Sequence, residues 1–282
     1  MCKDLSPPGN GGKFLDLNSK LRKLKKIISG YASCLVAFSG GTDSAFLLKV
    51  SSAVLPKGRL IAVTANSPTF PKEELQCAKA IAKRLGVKHK IIATQELKNK
   101  RFVSNPVNRC YFCKKELFAK LQSIAKKLKL NFVVDASNFS DKRDFRAGDI
   151  AKKELKIRYP LCEAGLTKEE IRKLSKKLRL STWNKPSLAC LASRIPYGVR
   201  ISQKLLERIH RAELHLKSLG IKQVRLRHYN GLCRIEVLER DIPKLISKRE
   251  EVLGKLKRLG YNYVTIDLQG YRTGSLNEVI KP

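Results

Sequence analysis

Short apolar runs alternate with amphipathic segments along the first part of the chain. The apolar runs predict strands at residues 35–38, 60–64, 90–93 and 132–135. The amphipathic segments predict helices at residues 14–28, 45–54, 72–85 and 118–128. Short apolar strands that alternate with helices are typical of a parallel sheet with helices on both faces. The pattern therefore predicts an α/β fold built on a parallel sheet.

The pattern changes near Ser187. Residues 223–228 and 233–238 alternate between polar and apolar side chains on either side of Asn230-Gly231, a dipeptide typical of tight hairpins. Further elements are predicted as helices at 202–218 and 241–258 and a strand at 264–268. This second pattern predicts a smaller α+β domain. We expect a flexible tail over 1–13, the α/β domain over 14–186 and the α+β domain over 187–282.

The charge of the chain is strongly positive. Lys and Arg number 59 against 24 Asp and Glu among 282 residues, a net charge of +35. Such a surface attracts nucleic acid, anionic lipid or phosphorylated substrates. The cations are spread evenly over both halves of the chain, so a lysine-rich solvated surface and a polyanionic partner both remain open.

Compartment and membrane contact follow from the apolar residues and cysteines. No apolar run approaches the ~20 residues of a membrane span, so we expect no membrane contact. The 8 cysteines occur without an apolar secretory signal at the N-terminus. This combination predicts a reducing, cytoplasmic location, where closely spaced thiols more often bind metal or act in catalysis than form disulfides.

The sequence SGGTDS at residues 39–44 lies between a predicted strand and a predicted helix. Gly40 and Gly41 allow a tight turn that exposes backbone N–H groups, and the start of the helix adds partial positive charge. These features fit a phosphate-binding loop, and they also fit a plain turn capped by Asp43 and Ser44. A GK[ST] P-loop is excluded because no lysine follows the glycines.

The whole string resembles the pyrophosphate loop (PP-loop) of the N-type ATP pyrophosphatases, which have an adenine nucleotide alpha hydrolase-like fold. Those enzymes adenylate a substrate and release pyrophosphate. The resemblance implies that ATP and Mg²⁺ are bound by a set comprising Ser39, Gly40, Gly41, Asp43 and Ser44. It also implies that the nucleoside lies at the end of the second strand, at Ala65 and Asn66.

Three cysteines have the spacing of a possible ligand set. Cys110 and Cys113 form a CxxC motif at a predicted loop–helix junction, and Cys190 lies in ACLASRIPYG. No second CxxC is present, which disfavours a four-cysteine zinc site. Three thiolates with an open fourth position suit an iron–sulfur cluster, although a lone CxxC also fits two unrelated thiols.

A series of motifs in chain order is similar to the LarE family, the ATP-dependent sulfur insertases of nickel-pincer cofactor synthesis. The motifs are FSGGTDS, RCYFCKKELF, KLSKKLRLSTWNKP, ACLASRIPYG, VRLRHYN and VTIDLQGYRTG. The resemblance implies adenylation of a carboxylate of pyridinium-3,5-biscarboxylic acid mononucleotide and replacement of AMP by sulfur. Such a substrate, and a homo-oligomer, are the expected partners.

The family resemblance also implies the source of sulfur. One branch of the family gives up the sulfur of a cysteine, whereas another holds a [4Fe-4S] cluster on three cysteines. The set Cys110, Cys113 and Cys190 favours the cluster branch, with Cys190 and Asp43 as catalytic residues. Donation of sulfur by Cys190 itself remains open.

A site for the substrate phosphate is predicted at two arginines of the C-terminal domain. Arg225 and Arg227 alternate on one strand face and can point at one anion. Ser193 and Arg194 complete the predicted site, while exposed arginines without a ligand are the alternative. Glu213 and Glu236 match acidic positions of the family, without an assigned role.

The alternative function is a PP-loop iron–sulfur tRNA thiolase. Such enzymes also combine a pyrophosphate loop with a CxxC and one further cysteine, and the charge of +35 would suit tRNA. Thr42 stands where tRNA enzymes usually have lysine, and the chain contains neither a zinc ribbon nor a C-terminal RNA-binding addition. Nucleic acid is therefore not the partner we expect.

Overall fold

The computed structural model describes residues 16–143, 147–186 and 189–280. The predicted tail over 1–13 and the predicted domain boundary at 187 lie outside these described residues. No helix within the described ranges has the length and apolar character needed to cross a membrane.

A four-stranded parallel sheet forms the first part of the fold, as the sequence predicts. Its strands are β1 (Cys34–Ala37), β2 (Leu60–Asn66), β3 (Lys88–Ala93) and β4 (Phe132–Val134). They lie in the order β3-β2-β1-β4, with Cys34 of β1 opposite Leu60 of β2 and Phe132 of β4. The carboxyl ends of β1 and β2 therefore meet at one edge of the sheet, where ligands bind in open parallel sheets.

Helices cover both faces of this sheet. They are α1 (Leu17–Gly30), α2 (Thr42–Val54), α3 (Lys72–Arg84), α4 (Lys100–Val103), α5 (Arg109–Lys127), α6 (Ala147–Glu154), α7 (Pro160–Glu163) and α8 (Lys168–Lys177). Val36 packs with Leu24 and Phe46 in one core, whereas its neighbour Leu35 packs with Phe118 in another. Both faces of β1 are thus buried, which explains its uninterrupted apolar sequence.

The helix predicted at 118–128 was placed too late, because α5 begins at Arg109. Its extra turns are held by tertiary contacts: Phe112 and Cys113 pack against the core of the C-terminal sheet. The CxxC motif therefore lies in the first turn of α5, directly after the preceding loop.

The second sheet has three strands in the order β5-β6-β7. These strands are β5 (Val224–Tyr229), β6 (Leu232–Val237) and β7 (Tyr263–Ile266). The predicted hairpin is present: β5 and β6 are antiparallel, and both Asn230 and Gly231 have positive φ. Strand β7 pairs with β6 in parallel.

The helices of this part are α9 (Gln203–Ser218), α10 (Ile242–Ser247) and α11 (Arg249–Arg258). The prediction of one helix over 241–258 was wrong, because Lys248 leaves the helical conformation between α10 and α11. The Ser247 hydroxyl donates to the Lys244 carbonyl, a side-chain bond that competes with the helical backbone ladder.

The segment around α4 attaches to the C-terminal part of the chain. Phe102 and Val103 belong to the core of the second sheet. Asn105, fully buried and with φ of 57°, donates through its amide to the carbonyls of Pro196 (2.7 Å) and Val199 (3.0 Å). This clasp fixes the start of α5 beside the segment that follows Cys190.

Candidate active site

The loop between β1 and α2 has the conformation that its glycines predict. Gly40 has φ of +69°, and a Cβ there would lie 3.0 Å from Cα of Ala78 on α3, so only glycine fits. Gly41 is the N-cap of α2 and provides no side-chain cap. The hydroxyls of Ser39 and Ser44 lie 3.1 Å apart across the loop. Hydroxyls and uncapped amides at a helix start suit a bound phosphate group.

Asp43 lies in the first turn of α2 with a carboxylate oxygen that has no partner. Its Oδ2 accepts from Lys168 Nζ at 2.7 Å and from Asn138 Nδ2 at 3.4 Å, while the buried Oδ1 has no hydrogen-bond partner within the part of the chain that the structure describes. Burial raises the pKa of Asp43, and Lys168 only partly opposes this effect. A buried unpaired carboxylate oxygen beside a phosphate loop suits coordination of Mg²⁺. Sequence reasoning missed Lys168, which has no local signal.

The end of β2 lies against this loop. The Thr64 hydroxyl donates to the Phe38 carbonyl at 2.6 Å, and the Phe38 amide donates to the Val63 carbonyl at 2.9 Å. Ala65 and Asn66 follow at the carboxyl end of β2. They thus lie at the sheet edge that carries the SGGTDS loop, where a nucleoside can be bound.

Lys185 connects the loop to the segment that leads to Cys190. Its ammonium group donates to the Gly40 carbonyl at 3.2 Å and pairs with Glu74 of α3 at 2.5 Å. Sequence reasoning did not select this lysine, although it lies in one of the quoted family motifs. A cation at this position can join the anion-binding groups of the loop.

The three predicted thiols are close enough to influence one another. Burial raises the pKa of Cys113 most, and the charges of Cys190 and Cys110 raise it further. The surrounding protein atoms also raise the pKa of Cys190, because they displace water from the thiol. Cys190 nevertheless keeps part of its surface exposed to solvent. All three are free thiols. The fold therefore brings Cys190 near a CxxC motif about 80 residues earlier in the chain.

The three thiols are suitable donors for an iron–sulfur cluster, but their arrangement is not that of a set of metal ligands. Within the described ranges, no three His, Cys, Asp or Glu side chains are arranged so as to hold a metal ion. Burial lowers the pKa of Lys114, yet Asp135 and the three thiols outweigh this effect and raise it overall. Thiolate donors with a neighbouring ammonium group suit an anionic cluster.

The buried carboxylate of Glu96 is connected to the Cys190 segment through Thr69. Glu96 is 2% exposed; its Oε1 accepts from the hydroxyls of Thr69 (2.9 Å) and Ser67, and its Oε2 has no partner. The Thr69 carbonyl accepts from the Leu191 amide at 3.0 Å, and the Thr69 hydroxyl lowers the pKa of Cys190. Sequence reasoning missed this network because its members lie on two separate loops.

The arginines predicted to bind the substrate phosphate have carboxylate partners. Arg194 is fully buried and binds both carboxylate oxygens of Glu213, at 2.8 and 3.0 Å. Arg227 binds both oxygens of Glu236 at 2.9 Å and donates to the Ser193 carbonyl. These pairs explain the two acidic positions to which the sequence assigned no role.

Arg194 also holds the Cys190 segment. Its Nη1 donates to the Ala189 carbonyl at 2.8 Å, the Cys190 carbonyl at 3.1 Å and the Ser193 hydroxyl at 3.0 Å. Hydrogen bonds thus occupy Nε, Nη1 and Nη2 of the guanidinium. Arg194 therefore has the geometry of a positioning residue.

Arg225 opens onto a cavity of about 320 Å³. Its guanidinium lies over the Tyr271 ring at 5.4 Å, and burial, reinforced by the charge of Arg194, lowers its pKa to about 10. The cavity is lined by Glu74, Lys185, Pro186, Lys217, Lys222, Gln223, Val224 and Arg225. Because Lys185 also contacts the loop at Gly40, this cationic cavity adjoins the candidate ATP site.

Comparison with known proteins supports the assignment of the loop. The family Queuosine biosynthesis protein QueC matches residues 33–106, a range that includes the SGGTDS loop and β2. An uncharacterised protein of Synechocystis sp. is 41% identical over 266 residues, covering 94% of this chain and 99% of the relative. An uncharacterised protein of Methanocaldococcus jannaschii is 30% identical over 264 residues, covering 93% and 98%.

A relative with a named activity comes from Lactiplantibacillus plantarum. This pyridinium-3,5-bisthiocarboxylic acid mononucleotide synthase is 35% identical over 245 residues, covering 87% of this chain and 89% of the relative. A match over 87% of this chain extends well beyond the loop. The chain therefore belongs to the LarE family and is an ATP-dependent sulfurtransferase of the PP-loop type.

Proposed function

We propose that the chain adenylates a carboxylate of pyridinium-3,5-biscarboxylic acid mononucleotide and replaces AMP with sulfur, giving a thiocarboxylic acid. The name of the Lactiplantibacillus relative supports this substrate class. The observation that carries the proposal is the cationic cavity at Arg225, which adjoins the SGGTDS loop through Lys185. A carboxylated nucleotide needs a cationic site for its phosphate next to the site that holds ATP.

Adenylation makes the carboxylate reactive, because a carboxylate is a poor electrophile and an acyl adenylate is a good one. In our proposal Ser39, Gly40, Gly41 and Ser44 bind the pyrophosphate that leaves. Asp43, whose buried Oδ1 has no hydrogen-bond partner among the described residues, would hold Mg²⁺, and a bound Mg²⁺ would neutralise charge on the phosphates. Ala65 and Asn66 line the part of the site that binds the nucleoside of ATP.

The substrate phosphate lies in the cavity in this proposal. Arg225 and the lysines that line the cavity provide positive charge, and Ser193 supplies a hydroxyl at the Cys190 segment. Arg194 and Arg227 act by position: their carboxylate partners already neutralise them, and they fix Ser193 and Cys190. This division refines the expectation that all four residues contact the phosphate.

Cys110, Cys113 and Cys190 would hold a [4Fe-4S] cluster. When bound, such a cluster supplies an open iron that carries sulfide as the sulfur donor. The chain itself contributes the thiols, the Thr69 hydroxyl at Cys190 and the positive charge of Lys114. Sacrifice of the Cys190 sulfur is the competing source.

The adenylation site is tested with Asp43→Ala. We expect ATP-dependent pyrophosphate release to be lost while the fold persists, because Asp43 serves the metal and not the core. Asp16→Ala is the matched control, since Asp16 caps α1 and Asp43 lies in the first turn of α2. It should lose a little stability and keep pyrophosphate release. Undiminished pyrophosphate release by folded Asp43→Ala would contradict the assignment.

The sulfur source is tested with alanine at each of the three cysteines. The cluster proposal predicts that every single variant loses the brown chromophore and sulfur transfer but retains adenylation. The sacrificial route predicts loss of activity in Cys190→Ala alone, with spent wild-type protein lighter by H₂S at Cys190. Full turnover by the Cys110→Ala and Cys113→Ala variants would overturn the cluster proposal.

A tRNA thiolase is the second candidate, favoured by the net charge of +35. Binding of tRNA by such an enzyme should weaken steeply with salt, with a log–log slope of about −0.9 per neutralised phosphate on duplex. We expect weak tRNA binding and no thiolated nucleosides. Thiolated nucleosides formed by the purified enzyme would support the second candidate instead.

A further inference from the structure

Arg109, the first residue of α5, is buried without a counter-charge. Arg109 is 4% exposed, and its Nη1 has no hydrogen-bond partner in the described ranges 16–143, 147–186 and 189–280. The described contact of the guanidinium is with the Tyr197 ring, 4.7 Å from Cζ to the ring centroid. Among the described residues, Arg109 forms no ion pair.

This situation differs from that of two other buried arginines. Arg194 and Arg227 are buried to a similar degree, and each is bound by both oxygens of a carboxylate. A buried cation without a partner is unfavourable, because the protein does not replace the water that it loses. The unpaired guanidinium of Arg109 therefore indicates an anion that the described residues do not supply.

The location of Arg109 indicates where that anion would bind. Cys110 follows Arg109 directly on α5, and Tyr197, over whose ring the Arg109 guanidinium lies, belongs to the segment that follows Cys190. Cys190 itself is exposed. The planar guanidinium fork matches a carboxylate, which it can bind with two parallel hydrogen bonds. The anion would thus lie beside the sulfur atoms.

We propose that Arg109 binds a carboxylate of the substrate and so orients the aromatic ring beside Cys190. The inference rests on the proposed function, in which the substrate ring carries two carboxylates. Adenylation removes the charge of one carboxylate, and the other keeps its charge and remains a partner for a buried guanidinium. Arg109 is then a substrate-binding residue at the sulfur-transfer site, separate from the phosphate site at Arg225.

The test measures the charge near Cys190 by alkylation of the full-length, metal-free protein. Iodoacetate carries a carboxylate and iodoacetamide is neutral, and both react with the thiolate, so the ratio of their rates is independent of the thiolate fraction. Peptide mass spectrometry reports the ratio at Cys190. We expect Arg109→Met to lower it roughly tenfold, the factor that corresponds to about 1.4 kcal/mol.

Arg101→Met is the matched control. Arg101 lies on neighbouring α4, also stacks over an aromatic ring (Phe112, 5.9 Å) and is exposed. Its removal should change the ratio at Cys190 by less than about twofold, because an exposed charge is screened. Equal ratios in wild type and folded Arg109→Met would overturn the proposal and leave Arg109 as a structural partner of Tyr197.

Pyridine-3,5-dicarboxylate is the probe for carboxylate recognition. It should slow the reaction of Cys190 with iodoacetamide in wild type and have no effect in Arg109→Met. Arg109→Lys keeps the charge but loses the guanidinium fork. It should therefore keep the preference for iodoacetate and lose most of the protection by the dicarboxylate. This variant also keeps the test valid if Arg109→Met folds poorly. Full protection in Arg109→Lys, or none in wild type, would overturn the proposal. Neither assay contains ATP, so failure here is distinguishable from failure of adenylation.

Discussion

Removal of the Glu213 charge is the most severe change that the fold offers near Cys190. In wild type the carboxylate accepts from Arg194 Nε at 2.8 Å, from Arg194 Nη2 at 3.0 Å and from the Leu226 amide at 3.0 Å. Glu213→Gln leaves the Arg194 guanidinium, which has no exposed surface, without a counter-charge. Breaking a buried pair from one side costs about 3–5 kcal/mol, a large part of the 5–15 kcal/mol that typically stabilises a domain.

A double variant separates the free-energy cost of the isolated Arg194 charge from the loss of a single hydrogen bond. Replacement of both partners by methionine removes the isolated charge, so the double variant should be more stable than Glu213→Gln. Glu207→Gln on the same helix is the control; Glu207 is exposed and should change stability by no more than about 0.5 kcal/mol. Urea denaturation followed by circular dichroism measures all three free energies of unfolding.

The effect of pH on this pair follows from the direction of the pKa shift. Burial alone would raise the pKa of Glu213, but Arg194 and the Leu226 amide hold it below its usual value. The stabilisation is therefore complete above the ordinary glutamate pKa of about 4.3 and is lost as the pH falls through the lowered folded-state pKa. The difference between wild type and Glu213→Gln should shrink below about pH 4.

The reasoning also predicts a change at Cys190. Arg194 holds the Cys190 carbonyl at 3.1 Å, so Glu213→Gln should loosen this segment and speed alkylation of the exposed thiol. A loss of stability under about 1 kcal/mol with an unchanged denaturant slope would refute the assigned role of the pair.

Two further variants test the loop and its connection to the cavity. Gly40→Ala should lower pyrophosphate release at least tenfold, because φ is +69° and the new Cβ would meet Ala78 at 3.0 Å; Gly30→Ala, with free space around it, should have no effect. Lys185→Met should raise the KM for the carboxylate substrate more than it lowers kcat, since the lysine lines the cavity and contacts the Gly40 carbonyl. Steady-state pyrophosphate release measures both, and an unchanged KM in folded Lys185→Met would place the phosphate elsewhere.

The parallel sheet and its loop could be predicted because their signals are local. Strand β1 was predicted at 35–38 and is found at Cys34–Ala37, since an apolar run between turn residues marks a buried strand. Asn230-Gly231 likewise specifies its hairpin through residues that adopt positive φ.

The partners of the buried charges could not be predicted, because they depend on contacts between distant segments. Alternation put Arg225 and Arg227 on one strand face, yet the sequence could not show that Arg227 would bind Glu236 of the neighbouring strand. The early start of α5 has the same origin. Phe112 is half-buried and packs against the C-terminal core, which lies outside its own helix.

The approach of Cys190 to the CxxC motif also arises from a long-range contact. The clasp of Asn105 on Pro196 and Val199 joins the start of α5 to the segment after Cys190. Spacing along the chain gives no indication of such a clasp. The sequence could therefore single out the three cysteines as a possible ligand set, but it could not show that the fold brings them together.

The most direct test of the central claim is the product formed from ATP, Mg²⁺, sulfide and pyridinium-3,5-biscarboxylic acid mononucleotide by anaerobically purified protein with its iron and sulfide quantified. We expect pyrophosphate and AMP in equal amounts, and a pyridinium product whose mass shows sulfur in place of carboxyl oxygen. Pyrophosphate release that does not depend on this substrate, or a pyridinium compound that keeps all of its oxygen, would contradict the account.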